Sequence, residues 1–122
     1  MKVAGMEIIE SLAELESMQQ QPALIMFGGA QCAVCASLKP RIDLMLAADF
    51  PRLKFGWADC QGAAGAACAQ AGVFSLPVVQ LWFDGKKHAE FAGVFSLGRL
   101  RHAIERPYRM IFAPPAGPKP DC

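Results

Sequence analysis

The sequence predicts an α/β fold with three layers, α/β/α, in which helices cover both faces of a central mixed sheet of about four strands. Two observations predict it. Short apolar runs alternate along the chain with segments whose apolar residues recur at helical spacing. Late in the chain, Asp84-Gly85 separates two strand-like segments and is typical of a hairpin turn. A helical crossover makes the first two strands parallel and the hairpin makes the last two antiparallel, so the sheet is mixed.

Each predicted element rests on its own pattern. Apolar residues at helical spacing predict one amphipathic helix over residues 6–18, which ends before Pro22. Strands are predicted at 23–27, 52–58, 78–83 and 88–92. Further helices are predicted from 33 to about 48, with Pro40 inside, over 61–71, and from a cap at Ser96 to a stop at Pro107.

Composition limits what the chain can be. Its 122 residues, 53% hydrophobic and 19% charged, predict one globular domain over 1–113, followed by a proline-rich flexible tail over 114–122. A net charge of +1 argues against nucleic acid as a partner. No apolar run approaches the ~20 residues of a membrane span. The late arginines are interpreted as a solvated helix face: Arg99, Arg101, Arg106 and Arg109.

The N-terminal segment bears on location. Glu7 and Glu10 interrupt it before any long apolar stretch, which is unlike a secretory signal, so we expect a cytoplasmic protein. In a reducing cytoplasm, paired cysteines are more often catalytic or metal-binding than structural.

The sequence Cys32-Ala33-Val34-Cys35 lies where a predicted strand ends and a predicted helix begins. Residues i and i+3 lie on one face of a helix start, so the two sulfurs can approach disulfide distance. The first cysteine also meets unpaired N–H groups and the positive end of the helix dipole, which favour the nucleophilic thiolate. We therefore expect Cys32 to attack a disulfide and the more covered Cys35 to resolve the mixed disulfide.

Other interpretations of the cysteines stay open. A metal site would need Cys60, Cys68 or His88 in addition to the pair, and two inert core thiols are a further alternative. The eight-residue separation of Cys60 and Cys68 along a predicted helix favours two free buried thiols over a second disulfide.

The ordered set of motifs resembles the thioredoxin family. Phe27 and the cysteine pair match that family's active-site segment, and Pro40 matches its helix-kinking proline. Leu76-Pro77 matches its cis-proline, Asp84-Gly85-Lys86 its hairpin, and Gly93 a glycine that borders the substrate groove. The resemblance runs from about residue 6 to residue 106.

The resemblance implies a thioredoxin-like fold and a thiol–disulfide oxidoreductase that reduces protein disulfides without a cofactor or a metal. It implies catalysis by Cys32 and Cys35, and substrate binding by Gln31, Leu76, Pro77 and Gly93. It also implies protein disulfide substrates and a thioredoxin-reductase-like or other electron donor as partners. Some animal thioredoxins resemble Asp59-Cys60-Gln61, which makes a regulatory disulfide of Cys60 and Cys68 the alternative to free thiols.

Departures from the family pattern concern chemistry more than fold. Gly28 and Gln31 replace the two tryptophans of the pattern, and Met26 replaces its buried acid. No side chain is then predicted to take the proton of Cys35. These losses keep a second function open, a thioredoxin-fold binding or chaperone-like module with a slow or vestigial cysteine pair.

Overall fold

A computed structural model describes residues 6–112. Five strands and four helices follow one another in this part of the chain: β1 Met6–Ile9, α1 Leu12–Gln19, β2 Ala23–Gly28, α2 Ala33–Asp49, β3 Lys54–Asp59, α3 Gly65–Gln70, β4 Val78–Phe83, β5 Lys86–Ala92 and α4 Leu97–Phe112. The predicted α/β class is confirmed, with one strand more than the four expected. The predicted tail at 114–122 lies outside the described residues.

The sheet is mixed and has the strand order β1-β3-β2-β4-β5. β2 runs parallel to β3, which is also parallel to β1, whereas β4 is antiparallel to both β2 and β5. β2 lies at the centre and all six of its residues are buried. Its apolar sequence therefore fits a strand that is covered on both faces.

Helices cover both faces of the sheet. One core cluster joins α2 and α4 to the face of the sheet that carries Met26. The other joins α1 and the α3 region to the opposite face, which carries Phe27. Neighbouring residues of β2 thus serve different core clusters, as the alternation of side chains along a strand requires. None of the helices within residues 6–112 is long and apolar enough to cross a membrane.

The single helix predicted over residues 6–18 is wrong. Met6–Ile9 pairs in parallel with the edge of β3, and the helix begins only at Leu12. Ser11 caps the helix, because its Oγ accepts a hydrogen bond from the Glu14 N–H at 3.1 Å. The Glu14 carboxylate in turn accepts the Glu10 N–H at 2.7 Å. The serine and the glutamate three residues later are a helix-start signal that the apolar spacing concealed.

Pro107 does not end the last helix as predicted, since α4 continues to Phe112. Proline removes one backbone hydrogen bond, but contacts beyond it hold the last turn in place. The Tyr108 ring lies 5.1 Å from the Phe50 ring and 4.8 Å from the Phe112 ring. The Tyr108 hydroxyl also accepts the Arg52 N–H at 3.1 Å. Tertiary packing therefore outweighs the local effect of proline.

The hairpin between β4 and β5 turns at Asp84 and Gly85, as predicted. Both residues have positive φ, 54° and 82°, as in a two-residue type I′ turn. Beside the turn, the Glu90 carboxylate accepts hydrogen bonds from Lys87 at 2.7 Å and from Gln80 at 3.0 Å. The Lys87 ammonium, more than any other group, holds the pKa of Glu90 below its usual value.

Candidate active site

The segment between β2 and α2 carries the cysteine pair. Cys32 is the N-cap of α2, and its Sγ accepts a hydrogen bond from the Cys35 N–H at 3.2 Å. The two cysteines are joined by a disulfide, with their Cα atoms 5.2 Å apart. Cys32 is half-buried, whereas Cys35 is 1% exposed. The structure thus leaves Cys32 partly exposed at a helix start and covers Cys35.

Three neighbouring strands bring further residues to the same edge of the sheet. Phe27 pairs with Val78, so Gly28, the next residue of β2, lies opposite Pro77, which immediately precedes β4. The Gly93 N–H donates to the Pro77 carbonyl at 2.9 Å, so Gly93, which follows β5, lies next to Pro77. The peptide bond between Leu76 and Pro77 is cis. The residues singled out from the sequence at 28, 77 and 93 therefore lie side by side.

Gln31, which precedes Cys32, is exposed and is held through its backbone. Its N–H donates to Gln61 Oε1 at 2.8 Å. The Gln61 side chain also lies directly over Gly29, where even a Cβ would collide with it. The segment that carries Cys32 is thus positioned by the turn that follows β3.

Gly28 is a glycine because its space is taken. A Cβ at this position would lie 2.7 Å from Cys35 Sγ and 2.7 Å from Trp57 Cη2. Trp57 lies on β3 and reaches across to β2, so an indole ring stands beside Cys35 although position 28 has none. Sequence reasoning missed this tryptophan, because the ring comes from the neighbouring strand.

A cavity of ≈ 230 Å³ opens between α2 and β3. Gly29, Ala30, Cys35, Ala36, Lys39, Trp57 and Asp59 line it. Lys39 Nζ lies 3.8 Å from the centre of the Trp57 ring. The sequence analysis missed Lys39 and Asp59 as candidate functional residues. Signals existed, since Lys39 follows Cys35 by four residues and Asp59 ends a strand parallel to β2.

The prediction that Cys60 and Cys68 remain apart as free thiols is wrong. A disulfide joins them, with their Cα atoms 5.6 Å apart. Helix α3 begins at Gly65 rather than at residue 61, so residues 60–64 form turns. The Ala64 N–H donates to the Asp59 carbonyl at 3.1 Å and the Cys68 N–H to the Ala64 carbonyl at 2.9 Å. These bonds fold the chain back and bring Cys60 beside Cys68.

The two histidines lie away from this chemistry. His88 and His102 are exposed, and the His88 ring packs edge-on against Phe83 at 5.0 Å. Within residues 6–112, no three side chains of the metal-binding types cluster closely enough to hold an ion. Cys60 and Cys68 are bonded to each other in the structure, so they are not ligands there.

The sequence itself matches a family with this arrangement: the family described as Thioredoxin matches residues 10–106. The chain belongs to the thioredoxin family. Members of the thioredoxin family are disulfide oxidoreductases, and the matched region contains the Cys32–Cys35 pair. The family predicted from the sequence motifs is therefore confirmed.

Known thioredoxin-like proteins resemble the chain in sequence and in structure. Thioredoxin-like 3-2, chloroplastic, of Arabidopsis thaliana is 34% identical over 89 residues, 70% of this chain. The aligned chain spans only about half of that relative, 46% of its length. Thioredoxin-like protein YdfQ of Bacillus subtilis (strain 168) is 27% identical over 104 residues, 84% of this chain and 91% of that protein. The crystal structure of thioredoxin O2 from Arabidopsis thaliana in the oxidized state superposes with a TM-score of 0.72 at 27% identity, covering 84% of this chain and 94% of that one.

Proposed function

We propose that this thioredoxin-family chain reduces protein disulfides by dithiol exchange through Cys32 and Cys35. The observation that carries the proposal is the asymmetry of the pair. Cys32 is half-buried at the N-terminus of α2 and faces the Cys35 N–H, whereas Cys35 is covered. In the reduced protein, the same N–H and the helix dipole would stabilise a thiolate at Cys32.

The exchange has two steps. The Cys32 thiolate attacks one sulfur of the substrate disulfide, forms a mixed disulfide with it and releases the other sulfur as a thiolate. Cys35 then loses its proton and attacks Cys32 Sγ, which closes the Cys32–Cys35 disulfide. The second substrate sulfur leaves with the electron pair and takes up a proton. Two electrons thus pass to the substrate, and a thioredoxin-reductase-like or other electron donor must return them.

Substrate would bind along the edge that carries Gln31, Leu76, Pro77 and Gly93. The half-buried Leu76 precedes Pro77 and lies outside β4, so its backbone can pair with an extended peptide in the manner of an added strand. An apolar groove lies beside it, lined by residues of α2 and of the segment before α4: Ala33, Val34, Ser37, Leu38, Arg41, Val94 and Phe95. Val94 is 85% exposed, which supports an interaction with protein substrates rather than with a small polar molecule.

The proposed reducing direction goes together with a cytoplasmic location, where electron donors keep thiols reduced. The same pair would work as an oxidant in an oxidising compartment. Measuring the reduction potential against glutathione separates the two directions. A potential well below that of the glutathione pool supports reduction, and one well above it contradicts the proposed direction.

Reduction of insulin disulfides in the presence of dithiothreitol tests the function. We expect the wild-type chain to accelerate insulin precipitation and the Cys32→Ser variant to have no activity. The alternative, a binding or chaperone-like module, predicts that the wild-type chain is as inactive as Cys32→Ser.

Alkylation of the reduced chain tests the assignment of roles. Iodoacetamide should modify Cys32 well before Cys35 at neutral pH, because Cys32 is more exposed and its thiolate is favoured. Peptide mapping by mass spectrometry would locate the label. Equal labelling of the two cysteines would contradict the assignment.

A further inference from the structure

The cavity between α2 and β3 is lined by Lys39 and Asp59, two charged residues that the two exchange steps leave without a role. Lys39 belongs to α2 and Asp59 is the last residue of β3, and Cys35 lines the same space. The remaining lining residues are Gly29, Ala30, Ala36 and Trp57, and none of these four has an ionisable side chain. The resolving cysteine therefore shares its cavity with one positive and one negative group.

The second exchange step creates a need for such groups. Cys35 is 1% exposed and packs in a core cluster with Met26 and Leu38. An apolar environment disfavours a thiolate, and Cys35 must become a thiolate before it can attack. Met26 has no group that could accept the proton.

We propose that Asp59 accepts the Cys35 proton through water in this cavity, and that Lys39 is a positioning residue whose charge favours the Cys35 thiolate. The inference rests on the proposed dithiol exchange and assigns its proton transfer. In the step, the Cys35 S–H bond breaks, a water passes its own proton to the Asp59 carboxylate, and that water receives the proton of Cys35. The thiolate then attacks Cys32 Sγ and the substrate sulfur leaves. Asp59 afterwards returns its proton to solvent or to the leaving thiolate.

The position of Lys39 supports its part. It follows Cys35 by one helical turn, so both side chains lie on the same face of α2. Its Nζ stands 3.8 Å from the centre of the Trp57 ring, and the edge of that ring shares the space at Gly28 with Cys35 Sγ. The salt bridges within residues 6–112 involve other side chains, so no carboxylate contact neutralises this ammonium there.

The position of Asp59 supports the other part. Asp59 pairs with Gly28 in the register of β2 and β3, which sets it beside the cysteine segment. Its Oδ1 accepts the Gln61 N–H at 3.0 Å. Oδ2 lies over Gly62, 2.6 Å from where a Cβ of that residue would be, and among the described residues no hydrogen bond uses it. That oxygen can accept one from water, and a cavity of ≈ 230 Å³ has room for water beside polar groups.

A single-turnover experiment tests the proposal. The reduced chain is mixed with a disulfide peptide, and formation and decay of the mixed disulfide are followed by stopped flow across neutral and alkaline pH. Asp59→Asn is the key variant, because the amide oxygen can still accept the Gln61 N–H and so preserves the turn. Glu16→Gln and Lys86→Gln are matched controls, since both residues are exposed and lie outside the cavity.

We expect Asp59→Asn to slow decay of the mixed disulfide by about 100-fold or more at neutral pH, within the range of general base catalysis. Its formation by Cys32 should be unchanged, and the deficit should shrink at alkaline pH, where hydroxide takes the proton. The decay rate of the mixed disulfide should rise with pH, and Lys39→Gln should move this rise to higher pH. Lys39→Arg should restore the wild-type dependence because the charge returns. The controls should match the wild type.

Direct titration gives a second measurement that is independent of turnover. In a Cys32→Ser, Cys122→Ser background, the ultraviolet absorbance of the thiolate follows Cys35 alone while Cys60 and Cys68 remain paired. Lys39→Gln should shift this titration to higher pH. An unchanged titration, or an Asp59→Asn variant with wild-type decay at every pH, overturns the proposal. Equal slowing of formation and decay would also overturn it, since it would mark a structural role. If the wild type forms no mixed disulfide, the proposed function itself fails.

Discussion

At the scale of single residues, the space beside Cys35 is divided between a glycine and a tryptophan on adjacent strands. Gly28 leaves room that the Trp57 ring fills from β3. A Cβ at Gly28 would lie 2.7 Å from both the ring edge and the Cys35 sulfur. The two identities therefore depend on each other. Protein interiors are packed densely enough that even one added methyl group must displace a neighbour.

Gly28→Ala should destabilise the fold by about 1–3 kcal/mol, the usual cost of overpacking a core. Urea unfolding would measure the loss. Gly98→Ala is the matched control, because a Cβ there meets only Ser96 Oγ, at 3.9 Å, and should not destabilise α4.

A double variant separates this clash from a general intolerance of alanine at residue 28. Trp57→Leu removes the ring, so Gly28→Ala should cost less free energy of unfolding in that background than in the wild type. Equal costs in the two backgrounds would show that Trp57 is not what restricts position 28.

At the scale of elements, the outer hairpin and the last helix each depend on a few contacts. β5 is an edge strand that carries the exposed Lys87 and Glu90, and charged side chains on an edge strand oppose pairing with another chain. Helix α4 keeps its final turn because Tyr108 packs against Phe50. A substitution in β5 should lower the stability of the protein, whereas one in α4 should raise it.

Glu90→Gln should reduce stability by less than about 1 kcal/mol at neutral pH, since the ion pair with Lys87 is exposed. The pKa of Glu90 is lowered in the folded state, so its contribution is present above the unfolded pKa and is lost as the pH falls through the folded pKa. Melting curves of the two proteins should therefore converge at acidic pH. A difference that persists there would assign the effect to packing instead.

Pro107→Ala should raise the melting temperature. Alanine restores the N–H that proline lacks, and the position is already helical in the structure. Thermal unfolding followed by circular dichroism measures the change. A lower melting temperature would mean that the last turn of α4 needs the bend that proline imposes.

At the scale of the whole molecule, a feature can be predicted from the sequence when its contacts join residues that are close along the chain, and it is missed when they join distant ones. The cysteine pair depends on a spacing of three residues at a helix start, and the sequence shows it directly. β1 escaped prediction because it becomes a strand only by pairing with β3; Met6, for example, lies opposite Phe55. The cavity beside Cys35 escaped for the same reason, since Asp59 reaches it only through the register of β2 with β3.

The second disulfide gives a prediction for the intact chain. Five cysteines with two disulfides leave one thiol, so the oxidised protein should show one reactive thiol per chain after denaturation. Peptide mapping should find Cys60 linked to Cys68. The Cys60→Ser, Cys68→Ser variant should lose about 2–3 kcal/mol of stability, because the disulfide closes a short loop. Two or more reactive thiols in the oxidised wild type would contradict the pairing.

The central position of β2 has a consequence for amide hydrogen exchange. β2 is hydrogen-bonded to a neighbour on each side and buried along its whole length, so its amides should exchange with deuterium last and only through global opening. The disulfide begins four residues after this strand ends, in the first turn of α2, where local opening is cheaper. Deuterium uptake should therefore rise steeply from Phe27 to Cys32. The most protected strand thus ends next to a segment that can open for disulfide exchange while the rest of the sheet stays closed.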